Sequence, residues 1–270
     1  MLKRLSFVLF TLLFTVSILY ACKIDNVLVK SPSMNKNIPT LIISPNNTKV
    51  KCNVIYLLHG YGGNEKSWIT IHPKLKDVSD KYNIIFVCPN GQNNWYVDSP
   101  IDSNSKYETF IWQELVNYVD KNYKTIATKN SRAITGFSMG GYGALWISLK
   151  HPDIFGASGS TSGALDIIAL TKYSVDLDAS PNKDFNISSV LGNKKALWEK
   201  YFLYNFINNI ETYKMAIIID CGYDDSLVFN ANKKFHQRLL KENIPHDYIV
   251  RPGHHDVAYW DNAISYHILF

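Results

Sequence analysis

An α/β fold, with a mostly parallel central sheet and helices on both faces, is what this sequence predicts. Three observations carry that reading. Unbroken apolar runs of strand length recur along the chain, helical apolar patterns lie between several of them, and turn residues close the runs. A strand buried on both faces has no polar side to alternate with, so it reads as a continuous apolar stretch.

The elements follow in order. Asn26 to Ser44 holds short apolar stretches separated by Ser, Pro and Asn, which suits antiparallel strands at a sheet edge. Val54-Ile55-Tyr56-Leu57-Leu58 is the first continuous run and ends in His59-Gly60. Ile84-Ile85-Phe86-Val87-Cys88 ends in Pro89-Asn90-Gly91, and Ala133-Ile134-Thr135-Gly136-Phe137 is the third run. Met215 to Asp220 ends in Cys221-Gly222, and Tyr248-Ile249-Val250 is shorter. Between them, Glu108 to Tyr123 places Phe110, Ile111, Leu115, Tyr118 and Val119 near a 3.6-residue period. Gly141 to Lys150 is a second helix, stopped by His151-Pro152, and Leu227 to Asn243 is a third. The stretch from Asp166 to Asn209 breaks this rhythm and is rich in Asn, Lys, Ser and Asp. It is expected to be an inserted region over the active face.

Bulk composition excludes some classes. The chain has 270 residues, 46% hydrophobic and 19% charged, which is ordinary for a protein with a sizeable core. Its formal charge is +5, two units of which come from Lys3 and Arg4. That balance is too weak to imply a nucleic-acid partner, and no basic block is interleaved with aromatics.

The first residues read as an export signal. Met1-Leu2-Lys3-Arg4 is a short basic start, Leu5 to Tyr20 is uncharged and mostly apolar, and Ala21-Cys22 follows. The apolar run is short for a membrane span. Leu19-Tyr20-Ala21-Cys22 resembles a bacterial lipobox, although Tyr20 is bulky for it. The expectation is a signal peptide over 1–21, of lipoprotein type, one α/β domain over 22–270, and a location in the cell envelope. Cys22 would carry the lipid and make the only membrane contact. Cys52, Cys88 and Cys221 lie far apart with no C-x-x-C spacing, which argues against zinc or redox chemistry. Cys88 and Cys221, at the ends of apolar runs, read as small buried hydrophobes.

The sharpest chemical signal is Gly136-Phe137-Ser138-Met139-Gly140, placed between an apolar strand and a helical pattern. A nucleophilic serine needs that context, because a tight strand-to-helix turn lifts its hydroxyl above the sheet. The hydroxyl also needs a base, and the base needs an orienting acid. In the α/β-hydrolase arrangement the acid follows the serine and the histidine comes last. Asp224-Asp225 and His254-His255 lie just beyond the last two apolar runs, at the carboxyl ends of strands where ligands of open α/β sheets bind. Spacing alone leaves Asp224 and Asp225 equal, and likewise His254 and His255. His72, His151, His236, His246 and His267 read as structural or solvated. Backbone N–H groups of Met139 and of Tyr61, in the loop His59-Gly60-Tyr61-Gly62-Gly63, are the candidate oxyanion donors.

Taken together, these residues resemble the esterase D group of α/β hydrolases. That group includes S-formylglutathione hydrolases, tributyrin-type esterases, feruloyl and acetylxylan esterase domains, and mycolyltransferases. The resemblance rests on Leu57-Leu58-His59-Gly60-Tyr61-Gly62-Gly63, Asn94-Trp95-Tyr96, Tyr107-Glu108-Thr109, Gly136 to Ala144, Cys221-Gly222 with Asp225, and Gly253-His254-His255-Asp256 before Trp260. It implies Ser138 as nucleophile, Asp225 as acid, His255 as base and Tyr61 as oxyanion donor. The doubled His254-His255 departs from the group's common G-G-H-D ending. The implied activity is serine ester hydrolysis without metal or organic cofactor, on acetyl or feruloyl groups of polysaccharides. A general short-chain carboxylesterase and an acyltransferase of mycolyltransferase type are the alternatives. Trp68, Trp95, Tyr96 and Trp260 are the candidate substrate-binding rings.

Overall fold

The computed structural model describes residues 22–46, 50–173 and 185–270. The expected signal segment 1–21 lies outside them, as does 174–184 of the expected insert.

The strands are β1 (Lys23–Ser31), β2 (Lys36–Ser44), β3 (Asn53–Leu58), β4 (Ile84–Pro89), β5 (Arg132–Gly136), β6 (Ala157–Thr161), β7 (Ala216–Gly222) and β8 (Asp247–Arg251). They form one sheet in the order β1-β2-β4-β3-β5-β6-β7-β8. The edge hairpin β1–β2 is antiparallel, as is β2 against β4, and every other pair is parallel. The chain therefore passes from β3 outward to β4 and returns across β3 to β5. Ligands of open α/β sheets bind where strand order reverses in this way.

The unbroken apolar runs feed two cores. Val54, Tyr56 and Leu58 of β3 pack into one cluster, while Ile55 and Leu57 pack into the other. Ile85 and Val87 of β4 likewise separate from Ile84, Phe86 and Cys88. Alternate residues of a strand face opposite sides, so a sheet covered on both faces needs apolar residues at every position. The larger core lies under the helices Met139–Lys150 and Phe229–Lys241. The smaller one includes Trp68 and Ile71 of the short helix Ser67–Ile71, and Ile264 of the helix Val257–Leu269.

The expected helix over Glu108 to Tyr123 is present with an irregular centre. A helical turn Tyr107–Thr109 leads into a π-helical stretch Phe110–Leu115 and then Val116–Asn122. Strand β6 had no sequence signal. Its residues, Ala-Ser-Gly-Ser-Thr, are small rather than apolar, yet all but Ala157 are buried between β5 and β7. Cys22, Cys52, Cys88 and Cys221 are free thiols, and burial pushes those of Cys88 and Cys221 upward. No helix of the described residues is long and apolar enough to cross a membrane.

Candidate active site

Ser138 sits at the turn between β5 and the helix Met139–Lys150, with φ +54° and ψ −119°. A non-glycine residue in that conformation is strained and has to be held by its surroundings. Its N–H donates to Thr161 O at 3.0 Å, and its carbonyl accepts from Gly141 N at 3.0 Å and Ala164 N at 3.1 Å. The backbone crosses itself closely here. A Cβ on Gly136 would lie 2.4 Å from Gly140 O, and one on Gly140 would lie 2.3 Å from Leu58 O. Only glycine fits at either flank, because the obstructing atoms are backbone and cannot move aside.

The histidine loop joins β8 to the helix Val257–Leu269. Asp256 caps that helix, its Oδ1 accepting from Tyr259 N at 2.9 Å. Below the loop, fully buried Asp220 at the end of β7 accepts from the Tyr259 hydroxyl and pairs with Arg251 Nη2 at 2.6 Å. Burial raises the Asp220 carboxyl, against the Tyr259 and Arg251 hydrogen bonds that lower it. This network ties β8 and the following helix to the sheet, and no sequence motif announced it.

Ser138, His255 and Asp225 meet in one hydrogen-bonded relay. Ser138 Oγ lies 2.9 Å from His255 Nε2, and His255 Nδ1 lies 2.7 Å from Asp225 Oδ2. A carboxylate only accepts, so this network puts the ring proton on Nδ1 and leaves Nε2 to accept from the serine hydroxyl. Asp225 is fully buried, and its Oδ1 accepts from Leu227 N and Val228 N at 3.2 Å each. Asp224 and His254 point elsewhere. Both are exposed, and His254 Nδ1 lies 3.3 Å from Asp224 O.

The glycine-rich loop after β3 reaches the same place. His59 anchors it. Its Nδ1 donates to Gly60 O at 2.7 Å, and its Nε2 accepts from Gly91 N at 2.9 Å. Burial drives this imidazole down to about 4, so it is neutral at pH 7. Gly62 N donates to Asn93 Oδ1 at 2.7 Å. His59 and Asn93 were not among the sequence candidates, although His59 heads the loop motif.

A cavity of about 180 Å³ opens onto Ser138 and His255. Its lining includes Tyr61, Met139, Trp95 and Trp260, with Leu170 and Phe185 from the inserted region. The expected insert thus does reach the active face. Trp260 stacks on Phe137 at 4.3 Å and meets the His255 ring edge-on at 5.2 Å. Two candidate rings must be corrected. Trp68 is buried in the smaller core, with its indole N–H donating to Leu58 O at 2.9 Å. Tyr96 is also buried, and its hydroxyl donates to His59 O at 3.0 Å. Neither lines the cavity; from opposite cores, Trp68 holds the last residue of β3 and Tyr96 the first residue of the loop that follows it. A larger cavity of about 540 Å³, lined by Lys23, Ser44, Cys52 and Tyr123 among others, holds none of the relay residues. Among the described residues, no group of three or more His, Cys, Asp or Glu side chains could hold a metal ion.

The family model named Esterase matches residues 31–269. The chain belongs to the Esterase family. This esterase is 27% identical to an acetyl esterase of Caldicellulosiruptor saccharolyticus, over 78% of this chain and 80% of that one. It spans about half the length of other curated esterases that it matches. Among solved structures it resembles a ferulic acid esterase, with TM-score 0.74, 29% identity, and 92% and 96% of the two chains covered. A fluorophosphonate-binding serine hydrolase of Staphylococcus aureus superposes with TM-score 0.79 at 23% identity, covering 92% of this chain and 97% of that one, a likeness of fold. The sheet order and these neighbours make this an α/β-hydrolase fold, and the family makes the protein a carboxylic ester hydrolase.

Proposed function

We propose that this esterase cleaves short acyl groups, acetyl first among them, from hydroxylated substrates such as polysaccharides outside the cytoplasm. Ser138 acts as nucleophile, His255 as general base and then acid, and Asp225 as the group that orients His255. As Ser138 Oγ attacks the ester carbonyl, His255 Nε2 takes its proton. Asp225 holds the Nδ1 tautomer and stabilises the imidazolium that forms. The main-chain N–H groups of Met139 and Tyr61 face the developing oxyanion. Met139 is suited to this as the first residue of its helix, where an N–H has no partner one turn back. The imidazolium protonates the departing alcohol, and water activated by His255 then releases the acid from Ser138.

The observation that carries this reading is the pair of distances, 2.9 Å and 2.7 Å, that link hydroxyl, imidazole and buried carboxylate at the mouth of an apolar cavity. Cavity size favours the short acyl group. At about 180 Å³ it lies below the roughly 300–1,000 Å³ of pockets that bury a drug-sized ligand. An acetyl or butyryl group suits that space. A feruloyl group, more than twice as large, would have to project from the mouth.

Export and lipidation at Cys22 belong to the same reading, supported by the layout of residues 1–22. Strand β1 begins at the next residue and pairs Lys23 with Ser44 at the end of β2, while Thr40 of β2 lies beside Pro89 at the end of β4. A lipid at Cys22 would therefore attach at the end of the sheet opposite Ser138, leaving the cavity mouth turned away from the membrane.

The test is a panel of p-nitrophenyl acetate, butyrate and octanoate, methyl ferulate and acetylated xylan. Release of acetate from xylan, abolished in Ser138→Ala, is expected. Hydrolysis undiminished in Ser138→Ala would overturn the proposal. Adding an alcohol acceptor and analysing the products separates transfer to a hydroxyl from transfer to water.

A further inference from the structure

Much of the cavity is built by loops at the ends of the sheet strands, but one part of its wall is not. Leu170 and Phe185 come from the region inserted between β6 and β7. Phe185 is held by more than its own ring. Its carbonyl accepts from the Trp95 indole N–H at 2.9 Å, and the next residue, Asn186, donates through Nδ2 to Asn93 O at 3.1 Å. The Phe185 ring stands edge-on to Tyr61, with centroids 5.6 Å apart and planes at 90°.

The backbone at this point departs from local preference. Phe185 and Asn186 have φ of +49° and +63°. Asparagine tolerates that conformation, whereas a bulky aromatic residue is an outlier there. Context therefore dictates where the Phe185 ring goes, and the context is the oxyanion loop and Trp95. Trp95 is itself fixed, being buried and packed edge-on against Tyr142 at 5.8 Å.

We infer that Phe185 is the residue that sets acyl-chain length in this esterase, by closing the cavity over the acyl group bound at Ser138. The inference rests on the acyl-enzyme reading above and adds the determinant of its specificity. The physical reason is volume. A phenyl ring contributes six carbon atoms beyond Cβ to the wall of a cavity of only about 180 Å³. Truncation to alanine lengthens the space and admits an octanoyl chain. Enlargement to tryptophan shortens the cavity and penalises butyrate against acetate. Each methylene that gains or loses its place in an apolar pocket changes selectivity by about tenfold or more.

The experiment measures kcat/KM on p-nitrophenyl acetate, butyrate and octanoate for the wild type, Phe185→Ala and Phe185→Trp. The octanoate-to-acetate ratio is expected to rise at least about tenfold in Phe185→Ala, and the butyrate-to-acetate ratio to fall in Phe185→Trp. A change of fold stability alone would scale all three esters together and leave the ratios in place. Ratios unchanged in both variants, with hydrolysis still dependent on Ser138, overturn the role of Phe185 and leave the esterase reading standing. A wild type inert on all three esters overturns both.

Discussion

Asn93 Oδ1 accepts the main-chain N–H of Gly62 at 2.7 Å, and so a side chain from the loop after β4 holds the loop after β3. Gly62 has φ +76°, a conformation that glycine adopts without strain, and it follows Tyr61 directly. The hydrogen bond thus fixes the peptide next to a proposed oxyanion donor. Loss of a whole donor costs about 10²–10³ in kcat. Asn93→Ala leaves the donor in place but frees its loop, so a fall of about tenfold in kcat is expected, with KM changed less. Steady-state kinetics on p-nitrophenyl acetate check this, and a rise in KM at constant kcat would contradict it.

The two doubled positions separate cleanly by substitution. Ser138→Ala, His255→Ala and Asp225→Asn are each expected to lower kcat by about 10⁴-fold, since members of such a relay act as a unit. Asp224 and His254 are exposed and lie outside the relay, so their alanine variants should stay within about threefold of wild type. If His254→Ala were as damaging as His255→Ala, the assignment of the base would be wrong.

Two buried histidines make stability depend on pH. His59 is lowered to about 4 and His267 to about 3 from the ordinary 6.5, both by burial. His267 bridges Thr135 Oγ1 at 2.8 Å and Thr161 Oγ1 at 3.2 Å, between β5 and β6. Above pH 6.5 these groups are neutral in both states, and the stability they permit is fully present. Below 6.5 the unfolded chain takes up protons that the folded chain does not, so stability falls with pH until the folded values are reached. The slope is about 1.4 kcal/mol per pH unit for each group, and His59 alone accounts for roughly 3 kcal/mol by pH 4. Urea midpoints are expected to drop between pH 6.5 and 4.5, and His267→Gln to flatten the drop. Parallel curves for wild type and variant would refute this.

Anchoring through Cys22 has a direct readout. Full-length protein produced in a bacterium is expected in the membrane fraction and released by Cys22→Ser. A variant that fractionates like the wild type would remove the anchor from the proposal. The thiol packs against the smaller core beside Ile24, so thermal unfolding of the variant separates a packing effect from a lost lipid.

The sequence by itself determined the parallel sheet, because strand segments buried on both faces must be apolar at every position, as β3 is from Val54 onward and β4 is throughout. It also marked the place of Ser138, since the flanking glycines announce a turn where the backbone passes too close to itself and to β3 for side chains. Strand β6 escaped notice because its small residues pack against neighbouring strands without forming an apolar run. Aromatic residue type did not reveal that Trp68 and Tyr96 brace β3 while Trp95 and Trp260 face the cavity. Spacing left Asp224 equal to Asp225 and His254 equal to His255; the family resemblance pointed to Asp225 and His255, and the tertiary structure is what turns those two toward Ser138. The physical reason is range. Periodicity and turn chemistry act over a few residues, whereas the direction of a loop side chain is set by partners such as Leu227, Val228, Asp220 and Tyr259. Those become neighbours only when distant strands have paired.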